Sequence, residues 1–194
     1  MGRKASKSEL QKRNGMEFIN KYGSKFMIVN YVSYNEVHIL FENGWSMKTT
    51  YQQCSLGSVK SPFCKSVHGV GYLGVDKNGI PTKASENGKN TRAYEVWHNM
   101  LTRCYSEVEL KRNPTYNKCS VCDRWLNYSL FLEDLPLIDN YDLWLNNEHQ
   151  GITLDKDIKQ PNTENKVYSL ETCIFIPRHI SSSEAMQRYW FSMT

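Results

Sequence analysis

The stretch GITLDKDIKQPNTENKVYSLETCIFIP, from Gly151 to Pro177, decides how this chain is read. Ile152 to Ile158 (ITLDKDI) predicts a strand, and the polar run from Lys159 to Glu171 predicts a loop. Cys173 to Pro177 (CIFIP) predicts a second strand, and Ser181 to Phe191 suits a final helix. Asp155, Lys156 and Asp157 stand where the first strand ends. On a continuing strand, residues 155 and 157 point to one face and 156 to the other. The two carboxylates are then expected to act together, with Lys156 apart from them.

Upstream, Arg92 to Tyr105 is the clearest helix. Ala93, Val96, Trp97, Met100, Leu101 and Cys104 recur at steps of three and four. Pro114 stops its continuation, and a shorter helix is predicted over Asn127 to Asp134, ended by Pro136. The polar segment 83–90 is the linker candidate. Residues 52–92 are loop-rich, and Asp76 to Gly79 (DKNG) is a turn signal. The glycines of GVGYLG (69–74) superficially suggest a nucleotide loop, but no strand–turn–helix unit surrounds them. Further upstream, Lys25–Val32, Glu36–Phe41 and Trp45–Tyr51 read as a three-stranded antiparallel meander, turned in part by Asn43-Gly44. Such a meander needs a helix or a further strand to cover its apolar face. Residues 7–20 predict a short basic helix.

The chain has 194 residues, 40% of them hydrophobic, and 12 tyrosines. That is enough for one medium domain or two small ones. The net charge is only +4, but Arg3, Lys4, Lys7, Lys12, Arg13, Lys21 and Lys25 crowd the first 25 residues against Glu9 and Glu17. A basic arm of this kind is an electrostatic footprint for nucleic acid, and equally a solvated tail. No apolar run approaches the ~20 residues of a membrane span, and no apolar stretch follows the basic residues as in a secretory signal. A cytoplasmic protein without membrane contact is expected. The six cysteines are then expected to be thiols or metal ligands. Cys119 and Cys122 form a CxxC, half of a zinc site, but no second pair matches it. Ordinary thiols are favoured and zinc is not expected. Trp97, Trp125, Trp144 and Trp190 read as core. Tyr31, Tyr34, Tyr51 and Tyr72 interleave with Lys25, Lys48, Lys60 and Lys65, a pattern suited to DNA. Arg92 and Arg103 on the strong helix, with Lys111 and Arg112 after it, are placed to track phosphates.

Five segments carry a resemblance. GVGYLG (69–74), AYEVWHNMLTRCY (93–105), NPTYNKCSVCDRW (113–125), LDKDI (154–158) and YSLETCIFIP (168–177) resemble, in order and spacing, those of phage-encoded HNH homing-endonuclease-like proteins. The similarity runs from about Tyr22 to Ile180, most of the chain. It implies a His-Me-finger (ββα-metal) fold, metal-dependent cleavage of DNA, and a mobile gene in a phage genome. The front meander resembles the β-rich DNA-binding modules attached to such nucleases. On the finger pattern, Asp155 takes a metal-ligand position and Lys156 that of the general-base histidine. Glu171 and Thr172 fall where a Glu-Asn pair orders the loop, and Ser181 where the helix offers an Asn or His ligand. None of the three H-N-H letters stands at its place. His149, ahead of the strand, and His179, beside the helix start, are the histidines positioned to substitute.

A free lysine, with a pKa near ~10.4, is a poor base at neutral pH, and flanking aspartates favour its charged form. Lys156 is therefore expected to hold a phosphate rather than take a proton. Asp155 and Asp157 suit Mg²⁺ or Mn²⁺, which prefer oxygen ligands.

The expectation is an α+β chain with a basic arm (1–20), an antiparallel β module for DNA binding (21–82), a linker (83–90) and a helix-supported HNH-like finger domain (91–194). The leading function is a metal-dependent endonuclease of phage homing type on double-stranded DNA. It would work in the host cytoplasm if phage-encoded, with a homodimer allowed. The alternatives are a DNA-binding protein that keeps the finger as scaffold without cleavage, and a phage factor that binds a host protein.

Overall fold

In the computed structural model of this chain, residues 6–147 and 151–178 are described. The chain is mixed α+β and divides into two units, Met1–Gly69 and Val70–Thr194.

The first unit is built on one antiparallel sheet in the order β1 (Glu17–Ile19), β2 (Lys25–Ser33), β3 (Glu36–Phe41), β4 (Ser46–Thr49). Alternation sends Phe26, Ile28, Val37, Ile39 and Phe41 to one face, where they are buried. An irregularity between Ile28 and Asn30 shifts the phase of β2, so that Tyr31 returns to the buried face. Helices α1 (Lys7–Arg13) and α2 (Tyr51–Ser55) cover this core with Leu10, Tyr51 and Cys54. Both begin in a capping box, Ser6 with Glu9 and Thr50 with Gln53. The helix expected over 7–20 stops at Arg13. At Gly15 the φ is +81° and its N–H donates to the Ile28 carbonyl at 2.8 Å, which steers the chain into the sheet as β1.

In the second unit, β5 (Ser85–Glu86) and β6 (Lys89–Asn90) form a small hairpin over residues read above as a linker. Its turn is Asn87-Gly88, both with positive φ. Thr91 then caps α3 (Arg92–Tyr105), which buries Trp97, Met100, Leu101 and Cys104 along one face. α4 (Glu107–Arg112) and a 3₁₀ turn lead to β7 (Cys119–Val121). α5 (Tyr128–Asp134) packs Tyr128 against Trp97 and Phe131 against Trp125, with ring centroids 5.1 and 5.2 Å apart. α6 (Tyr141–Asn146) stacks Trp144 on Phe175 at 5.2 Å. β8 (Ile152–Asp155) pairs antiparallel with β10 (Ile174–Pro177), while β9 (Lys166–Tyr168) pairs parallel with β7. Trp97, Trp125 and Trp144 are core, as expected; Trp190 lies outside the described residues.

The boundary falls at 69/70, and residues 70–82 belong with the second unit rather than with the β module. Tyr72 N–H donates to the Leu126 carbonyl, and the Tyr72 and Leu73 carbonyls accept from Tyr128 and Ser129. Gly71 and Gly74 of GVGYLG serve this docking. A Cβ on Gly71 would lie 2.4 Å from Leu101 Cδ1, and one on Gly74 would lie 2.1 Å from Asn127 Oδ1.

Candidate functional site

The site expected from the sequence is the corner after β8. The strand ends at Asp155 rather than Ile158, because Asp155 turns back on its own backbone. Its Oδ2 accepts from the N–H groups of Asp157 at 2.7 Å and Ile158 at 2.9 Å. Asp155 is 8% exposed, and burial raises its pKa above the usual carboxylate range, partly offset by those N–H donors.

The turn changes the expected geometry of Lys156. Alternation placed it away from the aspartates, but Lys156 Nζ lies 3.0 Å from both oxygens of Asp157. The ammonium also sits 4.9 Å from the Tyr116 ring and 5.3 Å from the Tyr168 ring. Lys156 is 3% exposed. Burial alone would lower its pKa, but the Asp157 carboxylate outweighs burial and the net shift is upward. Lys166 Nζ reaches Asp157 Oδ1 at 2.7 Å. Asp157 is therefore clamped by two ammonium groups, which overcome its own burial and hold its pKa low. Lys156 and Asp157 thus keep their charges.

These residues do not fit a divalent cation as they stand. One oxygen of Asp155 is taken by two backbone donors, and both oxygens of Asp157 face lysine nitrogens where a metal would sit. Among the described residues no group of three or more His, Cys, Asp or Glu side chains converges. The two cysteines of the CxxC keep different company. Cys119 lies beside Lys156 and Asp157, whereas Cys122 has Glu171 and Asp134 as its charged neighbours. Burial raises both thiols above the usual range.

Residues that the sequence reading did not single out, or singled out only by position, hold the corner and its surroundings in place. Gln160 donates from Nε2 to the carbonyls of Lys156 and Val167, both at 2.9 Å, and its Oε1 accepts from Val167 N–H at 3.1 Å. Thr172 accepts from Ser169 N–H and donates to the Val167 carbonyl, while Glu171 accepts from Ser169 Oγ at 2.6 Å. Asp134 takes a two-pronged contact from Arg124, at 2.8 and 3.0 Å, and one from Trp125 Nε1 at 2.9 Å. A buried Gln amid backbone donors and acceptors is legible only after folding. The Arg124–Asp134 pair joins a 3₁₀ turn to the end of α5, beyond the reach of a local pattern.

His149, His179 and Ser181, with the final helix, lie outside the described residues, as do Arg3 and Lys4. The remaining cations expected on DNA are distributed over both units. Lys12, Lys60 and Lys65 are exposed in the first unit. Lys25 pairs with Glu42 at 3.6 Å and Lys48 with Glu36 at 3.3 Å. Arg13 is half-buried, stacked 4.7 and 4.1 Å over the rings of Tyr31 and Tyr51, and it donates to the Tyr31 hydroxyl. Tyr31 is thus a core residue and not a platform for bases. In the second unit, Arg92 and Arg103 lie on α3, near β8. No helix among the described residues is long and apolar enough to cross a membrane. None of the protein-family models, curated proteins or solved structures compared with this chain matches it.

Proposed function

We propose that this chain is a DNA-binding protein of the HNH-endonuclease type in which the strand-end corner serves as scaffold rather than as a hydrolytic centre. The observation that carries the reading is the state of the corner. Asp155 is spent on backbone N–H groups and Asp157 on two lysines, while the residue in the base position is a charged, buried lysine. General-base work needs an unprotonated group free to accept a proton; Lys156 stays charged, Asp157 is held by two ammonium groups, and one oxygen of Asp155 is engaged by backbone N–H groups. The DNA partner is supported by the five-segment resemblance and by a local cation excess along α3 of the second unit.

A second reading keeps the endonuclease. It is favoured by the antiparallel pairing of β8 with β10, with Asp155 at the strand end opposite Ile174, the frame that a ββα finger requires. One experiment separates the two. The full chain is incubated with supercoiled plasmid and Mg²⁺ or Mn²⁺, and both mobility shift and strand integrity are read. Shifted, intact plasmid is the expected result. Nicked or linear product that disappears in Asp155→Ala or Asp157→Ala, with the variant shown to be folded by its melting curve, selects the endonuclease. Plasmid that neither shifts nor breaks rejects both.

A further inference from the structure

Within the Val70–Thr194 unit, α3 and β8 wall an open groove of ≈ 730 Å³ whose lining is mostly polar. Lys89, Arg92, Arg103 and Arg178 line it, and Glu95 is the one carboxylate among its described lining residues. Lys89, Arg92 and Arg103 outnumber Glu95 in a concave site, which focuses a positive potential.

Arg92 is held in place. The Arg92 guanidinium lies 4.3 Å over the ring of the buried Trp144 and donates to the Leu145 carbonyl at 3.4 Å. Arg103 and the buried Tyr168 line the same groove. A guanidinium already fixed on an aromatic face loses little freedom when an anion arrives, and it keeps other N–H donors for it. Lys89 and Arg92 flank the N-terminus of α3, a helix of 14 residues, whose dipole adds to the positive field there. Asn90, Asn99 and Thr153 supply neutral hydrogen-bonding groups between the cations. The corner lies at the far end of the same strand: Gly151 to Leu154 line the groove, and Asp155 begins the turn.

We propose that this groove binds the sugar–phosphate backbone of one DNA strand, with Lys89 and Arg92 at one end of α3 and Arg103 at the other as its phosphate contacts. The inference rests on the DNA-binding reading above and adds the surface that does the binding. A channel between one helix and one strand suits a single phosphodiester chain, either as one edge of a duplex or as a separated strand. The same cations would also take a lone phosphate group, so the test must tell a backbone from a small anion.

The full chain is titrated against a short fluorescein-labelled duplex and against its single strand, by anisotropy, with melting temperature recorded for every variant. Lys89→Ala/Arg92→Ala should weaken binding by roughly tenfold or more, since each lost phosphate contact removes a counterion-release contribution. Glu95→Gln leaves the core untouched and should strengthen binding several-fold, which keeps the test decisive if the double variant is unstable. Inorganic phosphate at the same ionic strength as a chloride control should not displace the DNA. Wild-type protein that binds neither probe rejects the DNA-binding reading itself. Wild-type binding that both variants leave unchanged rejects the groove while sparing that reading. Displacement by phosphate well below the chloride equivalent makes it a small-anion site and overturns the proposal.

Discussion

In the sequence the cations of the two units are alike; in the fold they differ in what surrounds them. On the outer face of the first sheet, Lys25 and Lys48 each stand beside a carboxylate, Glu42 and Glu36. Between those pairs Met27, Val29 and Leu40 are exposed, and Ile19 is 61% exposed. Arg13 is folded onto two tyrosines. In the second unit Arg92 is anchored on the Trp144 ring, and Arg92 and Arg103 face a groove holding one described carboxylate. A surface ion pair contributes little to stability, yet it cancels the local field that would attract a phosphate. A phosphate surface is therefore defined by cations that outnumber and are not paired with the nearby carboxylates, not by the number of lysines and arginines.

The corner breaks that division, because Lys156 and Lys166 belong to the second unit and are nevertheless spent on Asp157. The greatest effect of a substitution is expected there. Asp157→Ala leaves the buried Lys156 ammonium without its carboxylate and should destabilise the second unit by about 2–3 kcal/mol, at or below the low end for buried pairs because Asp157 is partly exposed. Chemical denaturation measures it. A loss under about 0.5 kcal/mol, the range of a surface change, would mean that the pair is ornamental.

A smaller effect belongs to Asp134. Despite burial, Arg124 and Trp125 hold its pKa below the usual carboxylate value. With the folded value depressed, its stabilisation is complete above an unfolded pKa near ~3.9 and is lost as pH falls through the folded value. Asp157 has the same sign, and Asp155, with its raised pKa, the opposite one. Asp134→Asn should therefore flatten the acid limb of the stability curve and cost about 1–2 kcal/mol at neutral pH. A variant with an unchanged acid limb would contradict the assignment. The first unit should respond least: Lys25→Ala and Lys48→Ala are each expected to shift stability by less than about 0.5 kcal/mol. A larger loss at either site would show that these pairs organise the sheet.

Much of the secondary structure was legible. Arg92–Tyr105 is helix over the predicted span, and Glu36–Phe41 is strand, because periodicity over enough residues leaves little choice. Two misses had a readable signal. Asn87-Gly88 in the supposed linker is a hairpin turn, and Asn14-Gly15 is where the first helix gives way to β1. Others had none. β9 is three residues inside a polar loop and exists only through parallel pairing with β7, a partner distant in the chain. At the expected site, the sequence pointed to the three residues DKD, but the geometry they adopt was not legible. The alternation rule held only while the strand lasted, and Asp155 ended it by accepting from its own backbone. Which lysine meets which carboxylate depends on that turn and on Gln160, a contact no spacing announces.

DNA is expected on the cations of the second unit and not on those of the first sheet. The decisive quantity is the slope of log affinity against log salt for the full chain on a duplex, with two double variants measured in parallel. Lys89→Ala/Arg92→Ala should reduce the steepness of the slope by about 1.8, at ~0.9 per neutralised phosphate, while Lys25→Ala/Lys48→Ala leaves it within about 0.3 of wild type. The reverse order, a flattened slope in the sheet variant and an unchanged one in the groove variant, would place DNA on the first sheet and contradict the assignment.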